Sequence, residues 1–193
     1  MNDLALLKSV LVVGGCGFLG HHIVNALFNT REQGLEVSVL DLNTTENRHP
    51  DAIYYTGDLT SLSQVQRVLS IVKPTVIIHT ASPTAMPTKP SARIIFHKVN
   101  VDGTRNLLDC AQALGTVKAF IYTSSSSVIH NQRDPLIRAT ENQPVLTTPD
   151  QQPEYYSQTK AIAENMVIAA NRAQGSEILT ASIRPVMMSG PGK

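Results

Sequence analysis

The sequence predicts an α/β fold, a doubly wound parallel sheet with helices on both faces. Short apolar runs alternate with amphipathic stretches along the chain. The first run, Ser9–Val13, is continuously apolar and ends in glycines, as expected of a parallel strand buried on both faces. The chain has 193 residues, of which 42% are hydrophobic and 16% charged, so residues 1–193 fit a single domain with a sizeable core.

Each predicted element follows from the period of its apolar residues. Short apolar runs bounded by glycine, proline or polar residues predict strands at 9–13, 36–40, 53–55, 75–79, 117–122 and 178–183. Apolar residues recurring at three and four predict helices at 20–33, 62–72, 96–114 and 155–174. Residues 81–91 and 135–153 are rich in proline and polar residues and are expected to form loops.

Charge and cysteine content exclude several classes of protein. Sixteen basic and fifteen acidic residues leave a net charge of +1, so we expect neither a nucleic-acid partner nor binding to an anionic membrane. The two cysteines, Cys16 and Cys110, cannot build a disulfide framework, and the histidines lack metal-ligand spacing, so no metal site is predicted. No apolar run is long enough to span a bilayer and the start lacks a basic signal region, which together predict a cytoplasmic protein.

A glycine-rich loop follows the first predicted strand and opens the first predicted helix. In Gly14-Gly15-Cys16-Gly17-Phe18-Leu19-Gly20, glycines permit a tight turn and a close approach of the backbone to a pyrophosphate at the helix N-terminus. Asp41 ends the next strand, 21 residues after Gly20, where a carboxylate accepts hydrogen bonds from the adenosine ribose and repels a 2′-phosphate. The loop therefore predicts a Rossmann-type dinucleotide site that prefers NAD to NADP.

Further contacts to the cofactor are expected at the ends of the next strands. Asp58 either accepts from the adenine amino group or simply precedes the helix at Leu62. Thr80 and Ala81 end the fourth strand, in the place for backbone contact with the cofactor. The predicted cofactor residues are Gly14, Gly17, Phe18, Leu19, Gly20, Asp41, Asp58, Leu59, Thr80, Ala81, Tyr156, Lys160 and Pro185.

Two further motifs carry groups suited to acid–base chemistry. Tyr156 and Lys160 are four residues apart on a predicted helix and therefore lie on one face, where the ammonium is expected to lower the pKa of the tyrosine. Such a tyrosine exchanges a proton with an alcohol while hydride leaves the same carbon. The serines from Ser124 to Ser127 follow the fifth strand, where a hydroxyl can hydrogen-bond the reacting oxygen. Each motif also has a plain structural explanation, as a helix-surface pair or a polar loop.

Taken in order along the chain, these motifs resemble the extended short-chain dehydrogenases/reductases. The most similar branch contains the 3β-hydroxysteroid dehydrogenases and sterol-4α-carboxylate 3-dehydrogenases. The matching segments are GGCGFLG (14–20), Asp41, GDL (57–59), HTAS (79–82), NVDGTRNLLDCA (100–111), IYTSSSSV (121–128), TENQP (140–144), YSQTKAIAE (156–164) and IRPVMMSGPG (183–192).

The resemblance implies a role for each matching residue. Tyr156 would be the acid/base, Lys160 would lower its pKa and hold the nicotinamide ribose, and Ser125 would orient the substrate oxygen. Asn100 would stabilise the active-site helix and its proton-relay water, and Pro185 would approach the nicotinamide amide. The implied reaction is NAD-dependent oxidation of a secondary alcohol, the 3β-hydroxyl of a steroid-like or terpenoid substrate. A non-catalytic NAD-binding module and a nucleotide-sugar epimerase or dehydratase remain as alternatives.

The resemblance also defines what differs from the family. Ser189 stands where the family usually has an aromatic residue, and His130 lies where it usually has a small one. Family members continue beyond the glycines at 190 and 192 with a substrate-binding region, so most of that region is expected to be missing. In many sterol-acting members a membrane anchor follows, and a longer parent protein carrying one would be associated with the endoplasmic reticulum.

The resemblance also implies a partner: helices 97–114 and 155–174 would pair the chain into a homodimer.

Overall fold

A computed structural model describes residues 8–30, 34–83 and 90–190. Within these residues one parallel sheet has six strands in the order β3-β2-β1-β4-β5-β6. The strands are β1 (Ser9–Val13), β2 (Glu36–Asp41), β3 (Ile53–Thr56), β4 (Val76–His79), β5 (Ala119–Thr123) and β6 (Leu179–Ile183). The predicted strands are therefore confirmed, with ends that move by at most two residues.

The strand order has one reversal, between β1 and β4. The chain runs outward from β1 through β2 to β3, returns to β4, and then runs outward in the other direction to β6. Val13 at the end of β1 pairs with Leu40 on one side and with His79 on the other. This reversal opens a crevice at the carboxyl ends of β1 and β4, which is where doubly wound sheets bind ligands.

The apolar residues of β1 point alternately to the two faces of the sheet and belong to two separate hydrophobic cores. Leu11 and Val13 belong to the core beneath α2 (Leu62–Val72), α4 (Gly103–Leu114) and α5 (Tyr155–Ala169). Val10 and Val12 belong to the core beneath α1 (Phe18–Thr30). Every residue of β1 is buried, as the continuous apolar run predicts, and helices lie on both faces of the sheet.

Three of the predicted helices have different bounds in the structure. The helix predicted at 20–33 begins at Phe18 and extends to Thr30, and residues 31–33 lie outside the described residues. The helix predicted at 96–114 begins earlier, as α3 (Pro90–Phe96), and continues through a π-helical turn (His97–Asp102) into α4. Residues 84–89, within the loop predicted at 81–91, lie outside the described residues. The helix predicted at 155–174 ends at Ala169, and a 3₁₀ turn (Ala173–Gly175) follows. Arg172 between them has a φ of 52°, in the left-handed region, which ends the helical path before β6.

None of the helices in the described residues is both long enough and apolar enough to cross a membrane.

Candidate active site

The glycine-rich loop after β1 is as tightly packed as the pyrophosphate-binding hypothesis requires. Gly14 has a φ of +82°, and a Cβ built on it would lie 2.5 Å from the backbone nitrogen of Ala81. A Cβ on Gly20 would lie 2.1 Å from the carbonyl oxygen of Gly14. The Gly17 amide donates to the same oxygen at 3.1 Å, which closes the turn. Because backbone fills the space that these side chains would need, the first and last glycines are required by the packing.

Asp41 lies at the end of β2, beside the glycine-rich loop. Its Oδ2 accepts a hydrogen bond from the Cys16 amide at 3.0 Å, and its Oδ1 accepts one from the Asn43 amide at 3.2 Å. These bonds hold a partly exposed carboxylate at the crevice, as the ribose-binding hypothesis requires. Burial, with the charge of Asp41 adding to it, raises the pKa of the Cys16 thiol to about 11, so this cysteine stays protonated.

Asp58 lies at the same crevice, although its immediate role is local. Its Oδ1 accepts from the Thr60 amide at 2.8 Å, and its own amide donates to Gln64 at 3.0 Å. The N-cap of α2 is Ser61, not Asp58. These local contacts agree with the simpler alternative, a residue that precedes α2, while the contact to adenine stays a prediction.

A cavity of about 460 Å³ occupies the crevice between these groups. The predicted cofactor residues that line it are Gly14, Gly17, Asp41, Asp58, Leu59, Thr80 and Ala81. Asn43, Ile95 and Val99 line the same cavity, although no sequence motif indicated them as cofactor residues. Ile95 and Val99 come from α3 and the π-helical turn, whose path over the crevice no local pattern predicts.

The other predicted cofactor residues lie along the same edge of the sheet. Phe18, Leu19 and Gly20 form the first turn of α1. The carbonyl of Pro185, after β6, accepts from the Ser126 amide at 3.0 Å. A Cβ on Gly190 would lie 3.3 Å from the Phe18 ring, so the segment after Pro185 returns to the start of α1.

Asn100 connects the crevice with α5. It is 1% exposed, its Oδ1 accepts from the Ser82 hydroxyl at 2.9 Å, and its Nδ2 donates to Thr159 on α5 at 3.0 Å. Asn100 lies in the π-helical turn, a distortion that often marks functional positions. Since Thr159 directly precedes Lys160, these contacts agree with a role of Asn100 in stabilising the active-site helix.

Tyr156 and Ser125 meet at the carboxyl end of β5. The Ser125 side chain lies close enough to Tyr156 to influence its titration, and the Phe96 ring packs edge-on against the Tyr156 ring, with centroids 5.7 Å apart. Burial raises the pKa of Tyr156, the nearby Ser125 side chain opposes this rise, and the charge of Glu154 adds to it. The expectation that the pKa of this tyrosine is lowered is therefore wrong for the chain as it stands, because burial outweighs the stabilising contacts.

Lys160 is almost fully buried one turn further along α5. Its ammonium donates to the Thr123 carbonyl at 2.5 Å and lies 4.6 Å from the centre of the Tyr122 ring. Burial lowers the pKa of Lys160 to about 7, and the Glu164 carboxylate opposes this. Glu164 in turn accepts two hydrogen bonds from Arg184, at 2.7 and 2.9 Å. An effect of Lys160 on Tyr156 stays a prediction.

His79 lies in the core behind these groups. It is 0% exposed, and burial, with the Lys160 charge adding to it, lowers its pKa to about 3. Because the Thr104 hydroxyl donates to the Asn100 carbonyl at 2.6 Å, the ring nitrogen Nε2 must donate to Thr104, 3.1 Å away. His79 is therefore a neutral histidine of the core.

Comparison with known proteins places the chain in a family. Residues 11–193 match the 3-beta hydroxysteroid dehydrogenase/isomerase family. The sterol-4-alpha-carboxylate 3-dehydrogenase, decarboxylating, of Schizosaccharomyces pombe is 38% identical over 96% of this chain and 52% of the relative. Its counterpart in Candida albicans is 37% identical over the same shares, so the chain spans about half the length of these curated relatives.

A solved structure shares the fold of this chain. The UDP-glucose 4-epimerase of Thermus thermophilus, solved in complex with NAD, superposes with a TM-score of 0.77 at 28% identity. The superposition covers 91% of this chain and 54% of the epimerase. Because the family match extends over nearly the whole sequence, the chain belongs to the 3-beta hydroxysteroid dehydrogenase/isomerase family.

Proposed function

We propose that this chain is the cofactor-binding and catalytic part of an NAD-dependent dehydrogenase that oxidises the 3β-hydroxyl of a steroid-like substrate. The observation that carries the proposal is the placement of Tyr156 and Lys160 one turn apart on α5, with Ser125 beside Tyr156 after β5. The curated sterol dehydrogenase relatives support this reaction over the nucleotide-sugar chemistry of the epimerases. The complete set of acid–base side chains argues against a non-catalytic module.

The residues of the crevice fit NAD. The close packing of Gly14 and Gly20 brings backbone amides to the positive end of α1, where a pyrophosphate is stabilised. Asp41 presents a carboxylate for the ribose hydroxyls and would repel the extra phosphate of NADP. NAD, when bound, supplies the acceptor for the hydride that leaves the alcohol carbon.

Each side chain then has a separate task in the oxidation. Ser125 donates a hydrogen bond to the substrate oxygen and holds it near Tyr156. Tyr156, as the phenolate, takes the hydroxyl proton while the carbon loses hydride. Lys160, with a pKa of about 7, is close to its titration point at neutral pH, so its charge depends on what binds beside it. Its ammonium would hold the nicotinamide ribose and favour the phenolate.

The test is turnover and cofactor binding by wild type and Tyr156→Phe. With NAD and a panel of 3β-hydroxysteroids, Tyr156→Phe should lose at least about 100-fold in kcat because the proton acceptor is gone. Its affinity for NADH, measured by calorimetry, should stay within about twofold of wild type, since the ring and its packing on Phe96 remain. Unchanged turnover in the variant would remove Tyr156 from the mechanism. Tight NADH binding by a wild type that turns over no hydroxysteroid would favour the non-catalytic module.

A further inference from the structure

The segment after β2, residues 42–48, is hydrogen-bonded to both the glycine-rich loop and α1. Asn47 in this segment donates from its Nδ2 to the carbonyl oxygen of Cys16 at 2.9 Å. The carbonyl oxygen of Asn47 lies 2.8 Å from Nδ1 of His21 and accepts from it, because a carbonyl only accepts. One residue of the β2–β3 connection therefore contacts the loop and the helix that the sequence assigned to the pyrophosphate.

The backbone of Asn47 and the ring of His21 are both set for these contacts. Asn47 has a φ of 51°, in the left-handed region that asparagine adopts more readily than most residues. On the other side of the His21 ring, Nε2 lies 2.9 Å from the amide nitrogen of Asn25, which donates to it. The ring thus donates at one nitrogen and accepts at the other, which defines its orientation.

The rest of the segment is held in place by contacts of its own. The Thr44 hydroxyl hydrogen-bonds the hydroxyl of Thr56 on β3 at 2.7 Å. Arg48 donates to the Thr44 carbonyl at 3.3 Å, and its guanidinium lies 4.4 Å from the centre of the Tyr54 ring. These contacts order the segment without the side-chain amide of Asn47, so the bond from Asn47 to the loop has a separate effect.

The backbone groups of Cys16 are held on both sides. Its amide donates to Asp41 at 3.0 Å, and its carbonyl accepts from Asn47. The Cys16 carbonyl and the Gly17 amide belong to one planar peptide, so fixing the carbonyl also fixes the direction of that amide. The Gly17 amide donates to the Gly14 carbonyl and closes the turn that leads into α1. The bond from Asn47 therefore orients the turn that presents the helix N-terminus to the crevice.

We propose that Asn47 is a positioning residue for the pyrophosphate of NAD, an inference that rests on the cofactor binding in the function proposed above. Asn47 does not line the cavity of the crevice, so it acts through the Cys16–Gly17 peptide. Asp41 and Asn47 hold this part of the loop from its two ends, one through an amide and the other through a carbonyl. Without the Asn47 amide the peptide gains freedom, and the cofactor must order the loop when it binds, which lowers the affinity.

Asn47→Gly tests this role because glycine keeps the left-handed φ and removes only the side chain. Its NADH affinity, measured by calorimetry, should be about fivefold lower than that of wild type, the effect of one hydrogen bond. Thr44→Val is the matched control, since it removes a hydroxyl contact of the same segment but leaves the glycine-rich loop untouched. Thr44→Val should bind NADH as wild type does. Should Asn47→Gly fail to fold in thermal unfolding, Asn47→Asp takes its place, because a carboxylate cannot donate to the Cys16 carbonyl.

A ligand series separates orientation of the loop from general support of the fold. ADP-ribose carries the pyrophosphate, whereas adenosine carries no phosphate, and both can be measured by displacement of bound NADH. In Asn47→Gly the affinity for ADP-ribose should fall as much as that for NADH, while the affinity for adenosine stays within about twofold of wild type. Equal losses for adenosine and ADP-ribose would overturn the proposal, since Asn47 would then support the adenosine end or the fold as a whole.

None of these measurements needs turnover, so failure of this role and failure of the proposed reaction are distinguishable. A wild type that binds NADH but oxidises no 3β-hydroxysteroid would remove the reaction, and the role of Asn47 would still be decided by the affinities of its variant. Wild-type affinity of Asn47→Gly for NADH and ADP-ribose would overturn the role of Asn47 even in an active dehydrogenase. A wild type without affinity for NADH would overturn both.

Discussion

Lys160 makes the stability of this protein depend on pH in a way that one substitution should remove. Burial lowers the pKa of this lysine from 10.5 in an unfolded chain to about 7 in the folded protein. Between these values the unfolded chain binds a proton that the folded protein does not, so the free energy of unfolding rises with pH. The full difference between the two pKa values corresponds to about 5 kcal/mol of unfolding free energy. Below pH 7 the folded protein is less stable by this amount than it is at a pH where the lysine is neutral in both states.

Replacing Lys160 by Met keeps the length and packing of the side chain and removes its charge. At pH 6 the charge of wild-type Lys160 costs nearly the whole of that free energy, while loss of the hydrogen bond to the Thr123 carbonyl costs the variant about 1 kcal/mol. Lys160→Met should therefore be more stable than wild type by about 4 kcal/mol at pH 6. At pH 9 the advantage should shrink to about 1 kcal/mol.

Urea denaturation at pH values from 6 to 9 measures both proteins. Lys118→Met is the control, because Lys118 is 40% exposed and its pair with Glu177 lies at the surface. Its stability profile should run parallel to that of wild type. If the profile of Lys160→Met also runs parallel to wild type, the burial of this lysine does not perturb its protonation and the reasoning is wrong. A gain in stability together with lost turnover would mean that the site keeps a destabilising charge for its function.

Three further outcomes follow from the site. Gly20→Ala should lower the free energy of unfolding by about 2 kcal/mol or more in urea denaturation, since its Cβ would lie 2.1 Å from a backbone oxygen. Gly17→Ala is the control, because its Cβ would lie 3.3 Å from the nearest backbone oxygen and should lower the free energy of unfolding clearly less. Equal losses in the two variants would contradict the packing argument. Because burial lowers the pKa of His79 from 6.5 to about 3, the unfolded chain alone takes up a proton as the pH falls through 6.5. Wild type should lose about 2 kcal/mol more than His79→Gln between pH 7 and pH 5 by denaturant titration, and equal losses would contradict this. Asp41→Asn keeps an acceptor for the Cys16 amide but loses the negative charge. Calorimetry should therefore find NADH binding about tenfold weaker and a smaller preference for NADH over NADPH. An unchanged preference would mean that other residues select NADH over NADPH.

The strands and the glycine-rich loop were predictable because their signals are local. Ser9–Val13 is apolar at every position, which suits only a strand covered on both faces, and the structure has β1 at those residues. Gly14 and Gly20 are needed where backbone approaches backbone, and a tight turn between a strand and a helix demands such residues wherever it occurs. The four-residue spacing of Tyr156 and Lys160 likewise places both on one face of α5 without reference to the rest of the fold.

The path of the helix over the crevice was not predictable in the same way. The apolar period of residues 96–114 indicates one regular helix, yet residues 97–102 form a π-helical turn. The turn places Asn100 in contact with Ser82 and Thr159, which come from distant parts of the chain. A local pattern holds no information on contacts of this kind, because their energy depends on where other elements pack.

By itself, the sequence determined the strands, the glycine-rich loop, the placing of Tyr156 and Lys160 on one helix face and the family, since all of these depend on backbone sterics or on short spacings. The tertiary structure alone decided the protonation of the site and its connections. Burial lowers the pKa of Lys160 to about 7 and raises that of Tyr156, and the desolvation that causes both arises only when α5 packs on the sheet. Gln152 was part of a predicted loop, but it is buried, and its hydrogen bonds to the Ser127 carbonyl and from the Glu154 amide join two segments that meet only in the folded chain.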